Sequence, residues 1–205
     1  MQERKIREMI QLCHNFYQKD LVCSTGGNIS VRSDESIYIT PTGVSLEGIN
    51  KDNLIKLNLR GEIISDGKPS QEYQMHLRLY QMNSHCQIVV HVHSPYIIAT
   101  SCMSKPNTIM PVYTPSYASR VGYLKILPFY FPGTEELNNA VGEEARKSES
   151  VILMNHGLVV WGKDFEKVRY VVEEIVENAK IFVFTQGKGK SLSEEEVNKI
   201  KNQDY

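Results

Sequence analysis

Two histidines close an apolar run in the stretch IVVHVHSPY, residues 88–96. Alternate residues of a β-strand point to the same face, about 6–7 Å apart, so His91 and His93 are expected to aim at one point. Imidazoles on a buried strand need partners for their polar nitrogens. The pattern therefore predicts a strand that ends in a binding site, and a divalent metal ion suits two neighbouring imidazoles.

A third histidine follows a second apolar run, SVILMNHGLVVWG. His156 precedes Gly157, which permits a sharp and crowded turn. Two histidines leave a tetrahedral ion two ligands short, and His156 is the best third candidate. The other histidines are expected to have structural roles, because His14 and His76 lie on predicted helices and His85 lies in a polar turn.

Length and composition limit the classes of protein that this chain can belong to. It has 205 residues, 41% of them hydrophobic and 23% charged, with a net charge of −1. No basic block suggests nucleic acid or an anionic membrane as a partner. The N-terminal stretch MQERKIREMIQL lacks the apolar core of a signal peptide, which predicts a cytoplasmic protein. Four cysteines without a C-x-x-C pair are expected to be free thiols, mostly in the core.

Hydrophobic periodicity divides the chain into irregularly alternating helices and strands. Helices are predicted over 2–18, from Ser70, from Pro95, from Thr134 to about 147, from Asp164, and after the capping box of Ser193 and Glu196. Hairpin signals over 54–70 and strand-like pieces within 109–130 favour a largely antiparallel sheet. The pattern predicts one α/β domain over 1–205 with helices on both sides of the sheet, and a flexible tail with a short helix over 186–205.

Small-residue loops and an acid stand before the H-x-H strand. GGN at 26–28 and TPTG at 40–43 offer backbone amides and hydroxyl groups, and Ser70 is expected to cap a helix. Such loops can hold a phosphate group. Glu72 falls in the first turn of that helix, where an acidic residue also favours the helix dipole, so its position alone does not indicate a catalytic role.

Together these motifs are specific. TGGNISVR, ITPTG, KPSQE…H, VVHVHSP and NHG, in this order and spacing, resemble the class II aldolase/adducin family over about residues 5–185. Within this family the sequence resembles the L-fuculose-1-phosphate aldolases. The resemblance implies a three-layer α/β/α fold with a mainly antiparallel sheet, and a homotetramer with active sites between subunits.

The resemblance also implies roles for individual residues. His91, His93 and His156 would hold a zinc ion, for which Mn²⁺ or Co²⁺ could substitute. Glu72 would be the catalytic acid/base and a fourth ligand when substrate is absent. The substrate phosphate would be bound by Asn28, Thr42, Gly43, Ser70 and Gln71. In this chain Gln71 stands where the fuculose enzyme has a second serine.

A catalytic tyrosine from the neighbouring subunit is implied within MPVYTPSY, where Tyr113 and Tyr117 both qualify and Tyr113 is favoured. Tyr205 is a further candidate, as the counterpart of a tyrosine in the family's C-terminal tail. The implied reaction is that of a metal-dependent aldehyde-lyase. A ketose 1-phosphate, such as L-fuculose 1-phosphate, would be cleaved reversibly to dihydroxyacetone phosphate and a short aldehyde such as lactaldehyde.

Other activities on the same fold stay open. The motifs are also compatible with a methylthioribulose-1-phosphate dehydratase. A ribulose-phosphate 4-epimerase fits less well, because residues 94–134 contain no Asp or Glu to serve as its second acid. A non-enzymatic interaction domain like the adducin head would not need the three histidines and Glu72, and metal content would distinguish it from an enzyme.

Overall fold

The computed structural model describes residues 2–202. Within this range the strands are β1 (Asn28–Ser33), β2 (Ser36–Ile39), β3 (Ile55–Asn58), β4 (Ile88–Val92), β5 (Thr108–Ile109), β6 (Lys125–Leu127), β7 (Ser150–Leu153) and β8 (Gly157–Gly162). The α-helices are α1 (Gln2–Gln18), α2 (Tyr73–Met82), α3 (Pro95–Cys102), α4 (Pro115–Arg120), α5 (Glu135–Glu144), α6 (Phe165–Phe184) and α7 (Glu194–Lys201).

The strands form one sheet in the order β3-β2-β1-β4-β8-β7-β6-β5. Every neighbouring pair is antiparallel except β6 and β7, which are parallel. This confirms the predicted α/β fold with a mainly antiparallel sheet. The H-x-H strand β4 lies between β1 and β8, with His91 opposite Asn28 on one side and Val159 on the other.

Two apolar cores cover the two faces of the sheet and make the fold three-layered. Because side chains alternate along β4, Val90 belongs to a first core, which contains residues of α1, α3, α4, α6 and α7, whereas Val89 belongs to a second core, which contains residues of α2 and α5. Fully burying an aliphatic or aromatic side chain stabilises the folded state by about 1.5–3 kcal/mol. Helices on both faces are needed because the central strands have apolar side chains on both faces.

Several local predictions differ from the structure. Helix α2 begins at Tyr73, and Ser70 does not cap it but accepts a hydrogen bond at Oγ from the backbone N–H of Glu72. The second arm of the predicted hairpin is reduced to a bridge between Leu57 and Ile63, so β3 is the sheet edge. Helix α5 ends at Glu144 rather than near 147.

The segment predicted as strand-like within 109–130 also contains helix α4. Thr114 caps α4 by accepting a hydrogen bond from the backbone N–H of Tyr117, and a proline at N1 suits the first turn. The cysteines are free, as predicted, but only Cys13 and Cys86 are buried, while Cys23 and Cys102 are exposed.

The described part of the C-terminal segment packs on the domain. Val197 of α7 is buried in the first core, and the backbone N–H of Leu192 donates to the carbonyl of Val112. The flexibility predicted for 186–205 stays a prediction. Among residues 2–202, no helix is both long enough and apolar enough to cross a membrane.

Candidate metal centre and active site

Strand pairing brings the three predicted metal ligands together. His91 lies in β4, His93 follows the end of that strand, and His156 precedes β8, the neighbour of β4 in the sheet. The turn before β8 is tight, with Asn155 in the left-handed region at φ 57°. A Cβ on Gly157 would lie 2.5 Å from the carbonyl oxygen of Val92, so only glycine permits this approach.

The Nε2 atoms of these histidines converge. The Nε2 of His91 lies 2.7 Å from that of His93 and 3.3 Å from that of His156. The Nδ1 of His91 is 3.0 Å from the carbonyl oxygen of Leu158. Because a carbonyl only accepts, Nδ1 must carry the hydrogen, which leaves the Nε2 lone pair of a neutral His91 facing the other imidazoles.

Glu72 completes the group from the N-terminal end of α2. Its Oε2 lies 3.2 Å from the Nε2 of His91, and its Oε1 lies 3.1 Å from the Nε2 of His156. One ligand atom from each of Glu72, His91, His93 and His156 lies within 4.8 Å of the others. Sequence spacing could not supply this contact, since Glu72 is separated from the H-x-H pair by all of α2.

The electrostatics of this group favour a bound cation. Burial opposes ionisation of Glu72, but the nearby His91 and His156 outweigh it and hold the pKa of Glu72 well below its usual range. Burial, followed by the neighbouring His91 and His156, lowers the pKa of His93 to about 3, so this imidazole is neutral at neutral pH and free to act as a ligand.

A metal ion suits the donor set. Imidazole nitrogens and a carboxylate face one small volume, and each of them could give a lone pair to a cation bound there. Three histidines and a carboxylate form a set that zinc accepts, and Mn²⁺ or Co²⁺ can also bind nitrogen and oxygen ligands.

Beside the metal group lies a cavity of about 420 Å³. Its walls are the loops that the sequence singled out as phosphate-binding, together with residues of the metal group. They include all five predicted phosphate ligands, Asn28, Thr42, Gly43, Ser70 and Gln71. Among the described residues that line this cavity there is no lysine or arginine, so a phosphate there would meet hydroxyl and amide groups rather than a basic side chain.

The loops are held against each other and against the histidines. The backbone N–H of Thr42 donates to the carbonyl of Lys68, and that of Ser70 donates to the carbonyl of Thr40. Gly43 has a left-handed φ of 73°, which favours glycine, and open space where a Cβ would stand. A Cβ on Gly26 would lie 2.9 Å from the Nδ1 of His93, which explains the small residue at that position.

Asn28 lies at the inner end of the cavity. Its side-chain Nδ2 donates to the Oε2 of Glu72 at 3.0 Å, and its Oδ1 lies 2.6 Å from the Nε2 of His76. In this arrangement the Asn28 amide is engaged with these side chains rather than turned toward a phosphate.

The candidate tyrosines occupy different surroundings, and within residues 2–202 neither Tyr113 nor Tyr117 lines the cavity. Tyr117 is fully buried in the first core. Tyr113 is part-buried before α4, where its backbone N–H donates to Asn178 and its ring lies under Gly189. For both hydroxyl groups the described residues provide no hydrogen-bond partner. Tyr205 falls outside the described residues.

His76 hydrogen-bonds within the core and is not one of the converging ligands, as the sequence predicted, and sequence reasoning missed only its link to Glu72 through Asn28. It is fully buried on α2, with its Nδ1 2.7 Å from the Oγ of Ser30 and its Nε2 bonded to Asn28. A sequence signal for it was present, since Glu72 and His76 are four residues apart and one helical turn places such residues on one face.

Comparison with known proteins identifies the family of this chain. The model of the class II aldolase and adducin N-terminal domain family matches residues 7–183. The chain belongs to this family. It is therefore an enzyme of the class II aldolase superfamily, whose aldolases use a divalent metal.

The relatives of this family member carry two different activities. A 3-oxo-tetronate 4-phosphate decarboxylase of Haemophilus influenzae is 36% identical over 198 residues, which cover 95% of this chain and 94% of that protein. An L-fuculose phosphate aldolase of Methanococcus maripaludis is 37% identical over 173 residues, covering 84% and 92% respectively. The YgbL structure from Klebsiella pneumoniae, for which aldolase, epimerase or decarboxylase activity is suggested, matches with a TM-score of 0.90, 29% identity, and coverage of 98% and 99%.

Proposed function

We propose that this protein is a metal-dependent lyase that breaks the C–C bond between the α- and β-carbons of a ketone in a small phosphorylated sugar or sugar acid. The observation that carries this proposal is the group of Glu72, His91, His93 and His156, whose ligand atoms lie within 4.8 Å and which adjoins a polar cavity. Removing these polar groups from water costs free energy, and a protein that only binds partners would have no chemical need for them in this arrangement.

The chemistry divides between the ion and the side chains. A divalent ion, which we propose to be zinc, would supply a Lewis acid for the negative charge that develops on the substrate oxygens as the bond breaks. Thr42, Gly43, Ser70 and Gln71 would bind the phosphate through hydroxyl and amide groups and so orient the substrate. Glu72 would transfer the proton to carbon.

Two bond cleavages lead to the same product. Loss of CO₂ from a 3-oxo-tetronate 4-phosphate, and retro-aldol cleavage of a ketulose 1-phosphate, both leave the bonding electrons in the enediolate of dihydroxyacetone phosphate. Decarboxylation then needs one proton, taken up from solvent and delivered to carbon. The retro-aldol reaction must also remove a proton from the substrate hydroxyl group that becomes the aldehyde.

Decarboxylation is the reaction we favour. Apart from the histidines, Glu72 is the one side chain among the described cavity residues that can transfer a proton at neutral pH, and one such group suffices for it. The similarity to the Haemophilus influenzae decarboxylase also extends over 95% of the chain, against 84% for the Methanococcus maripaludis aldolase.

Retro-aldol cleavage is the second candidate. It is supported by the aldolase relative, and in this reaction Tyr113 would transfer the second proton in the site of a neighbouring subunit. We propose a homotetramer with sites at subunit contacts. Phe129 and Phe131 support it, since they are 48% and 72% exposed beside Pro132 of the cavity wall, where a second subunit could cover them.

We also propose a cytoplasmic location and a role in carbohydrate metabolism, where such phosphorylated substrates occur.

A product assay tests these proposals. The zinc-loaded protein is incubated with 3-oxo-tetronate 4-phosphate and, separately, with L-fuculose 1-phosphate, and products are identified by mass spectrometry. We expect dihydroxyacetone phosphate and CO₂ from the first substrate. Preferential release of lactaldehyde from the second would establish the aldolase instead, and loss of water with an intact carbon skeleton would indicate a dehydratase.

Two controls accompany the assay. A chelator should abolish turnover, whereas borohydride added with substrate should not inactivate the protein, because no lysine lines the described cavity to form an imine. Absence of bound metal together with absence of all products would favour an interaction domain.

A further inference from the structure

A chain of buried polar side chains runs from Glu72 into the protein. The Nδ2 of Asn28 lies 3.0 Å from the Oε2 of Glu72, and the Oδ1 of Asn28 lies 2.6 Å from the Nε2 of His76. The Nδ1 of His76 lies 2.7 Å from the Oγ of Ser30, which is 2.9 Å from the hydroxyl group of Tyr80. All five residues are less than 9% exposed.

The position of each hydrogen in this chain follows from its neighbour, beginning at Glu72. The Glu72 carboxylate accepts only, so it must receive a hydrogen from the Nδ2 of Asn28. The amide oxygen of Asn28 therefore faces His76, and because an amide oxygen also accepts only, the Nε2 of His76 must carry a hydrogen.

The same reasoning continues beyond His76. Burial lowers the pKa of His76 to about 3, so the imidazole is neutral and its Nδ1 holds a lone pair. Ser30 must then donate its single hydroxyl hydrogen to that nitrogen, and Tyr80 must donate to Ser30. All four hydrogen bonds point in one direction, toward the carboxylate.

This chain makes the two oxygens of Glu72 different. Oε2 receives the hydrogen bond from Asn28. For Oε1 the described residues provide no hydrogen-bond donor, and it lies 3.1 Å from the Nε2 of His156 beside the cavity. Rotating the Asn28 amide by half a turn would set two acceptors against each other at Glu72 and two donors against each other at His76, so a donor at His76 Nε2 is what keeps the amide in place.

We propose that His76 is a positioning residue for catalysis: its Nε2–H fixes the orientation of the Asn28 amide, which holds Oε2 of Glu72 and leaves Oε1 to transfer the proton. The proposal rests on the catalytic role proposed above for Glu72. His76 itself does not line the cavity among the described residues and touches no reacting atom.

The first test needs no substrate. Nitrogen-15 NMR of the metal-free protein, with the His76 signal assigned by comparison with the His76→Gln variant, reports which ring nitrogen is protonated. We expect a neutral imidazole with hydrogen on Nε2. A neutral ring with hydrogen on Nδ1, or a doubly protonated ring at pH 7, would overturn the proposal.

The second test compares variants of the chain. In His76→Phe the Asn28 amide loses its donor, and we expect kcat to fall about 10²-fold with KM and metal content little changed, as for a misplaced catalytic group. In His76→Gln a side-chain N–H can again face Asn28, and we expect most of that loss to be recovered. Tyr80→Phe is the matched control, because it removes a buried donor at the far end of the same chain.

The control separates positioning from stability. We expect Tyr80→Phe to lower the melting temperature but to reduce kcat no more than about threefold, since Ser30 can still donate to His76. Equal losses of kcat in Tyr80→Phe and His76→Phe would assign His76 a structural role only. If His76→Phe does not fold, His76→Gln and the NMR measurement decide. Failure of the wild type on every substrate would reject the proposed function but leave the NMR test valid.

Discussion

The two fully buried histidines, His76 and His91, have opposite surroundings. His76 has a side-chain partner on each ring nitrogen, Ser30 on Nδ1 and Asn28 on Nε2. His91, in contrast, has a carbonyl on Nδ1, and its Nε2 faces two other imidazoles and the Glu72 carboxylate. The difference teaches that burial alone does not identify a metal ligand. A metal ligand is recognised by a lone pair that has no hydrogen-bond donor within the protein. This lone pair points at a small volume that other ligand atoms also face.

The surroundings of the two histidines also differ in what they contribute to folding. The satisfied chain at His76 stabilises the protein by itself, because each buried polar group has its partner. The converging side chains at His91, His93, His156 and Glu72 could instead each give a lone pair to one bound cation. Metal binding should therefore stabilise the folded protein, since it binds the native arrangement better than the unfolded chain.

The largest expected effect comes from removing a metal ligand. His91→Ala, His93→Ala and His156→Ala should each empty the site and lower turnover by at least about 10³-fold, because both the ion and its charge stabilisation are lost. Elemental analysis and activity measure the two effects. The matched control is His85→Ala, an exposed histidine outside the site, which should keep both. About one ion per chain in all three ligand variants would refute the triad.

Removing the acid should affect catalysis more than binding. In Glu72→Gln the three histidines remain, so the metal should be retained while turnover falls about 10²–10⁴-fold, the usual contribution of a general acid/base. Steady-state kinetics on metal-loaded protein test this. Unchanged turnover would return Glu72 to a helix-dipole and packing role.

His76, which has a hydrogen-bond partner on each ring nitrogen, should make the free energy of unfolding depend on pH in the acid range. The pKa of His76 is about 3 in the fold and near 6.5 in the unfolded chain, so the unfolded state binds the additional proton as the pH falls. Its contribution is thus fully present above pH 6.5 and is lost between about pH 6.5 and 3, amounting to a few kcal/mol at about 1.4 kcal/mol per unit.

Urea unfolding of metal-free protein at pH 7 and pH 5 measures this loss. In His76→Gln no proton can bind at this position, so the variant should lose less free energy of unfolding than the wild type between the two pH values. Identical pH slopes for the two proteins would contradict the assignment of a neutral, satisfied imidazole.

A smaller effect is expected in the cavity loops, which bind but do not transfer protons. Thr42→Val removes one hydroxyl group from the proposed phosphate site, and a lost hydrogen bond of about 1 kcal/mol corresponds to a rise in KM of about fivefold with kcat nearly unchanged. A fall in kcat without a change in KM would place Thr42 with the reacting atoms instead.

The smallest effect should come from Tyr113→Phe. If decarboxylation is the reaction, we expect kcat to change by less than about threefold and metal content not at all, because a single proton-transfer group suffices. Tyr117→Phe is the matched control, a core tyrosine whose hydroxyl group also has no partner within the described residues. A loss of about 10²-fold or more in Tyr113→Phe alone would favour retro-aldol cleavage with a shared site.

The sequence by itself determined the local structure and the family. Side chains at i and i+2 of a strand share a face, so VHVHS indicated two converging imidazoles before any fold was known. Apolar spacing and capping side chains likewise predicted α1, α6 and α7, with Asp164 and Ser193 as caps. These features depend on sterics and hydrogen bonds between near neighbours, which a short stretch of sequence contains in full.

Only the tertiary structure decided which distant groups meet. His156 reaches the H-x-H pair because β8 pairs with β4, and Glu72 reaches both because α2 packs across the sheet. The role of His76 depends on its contact with Asn28, a residue 48 positions earlier. Contacts of this kind arise from strand pairing and the burial of whole faces, whose free energy belongs to the assembled fold rather than to any single segment.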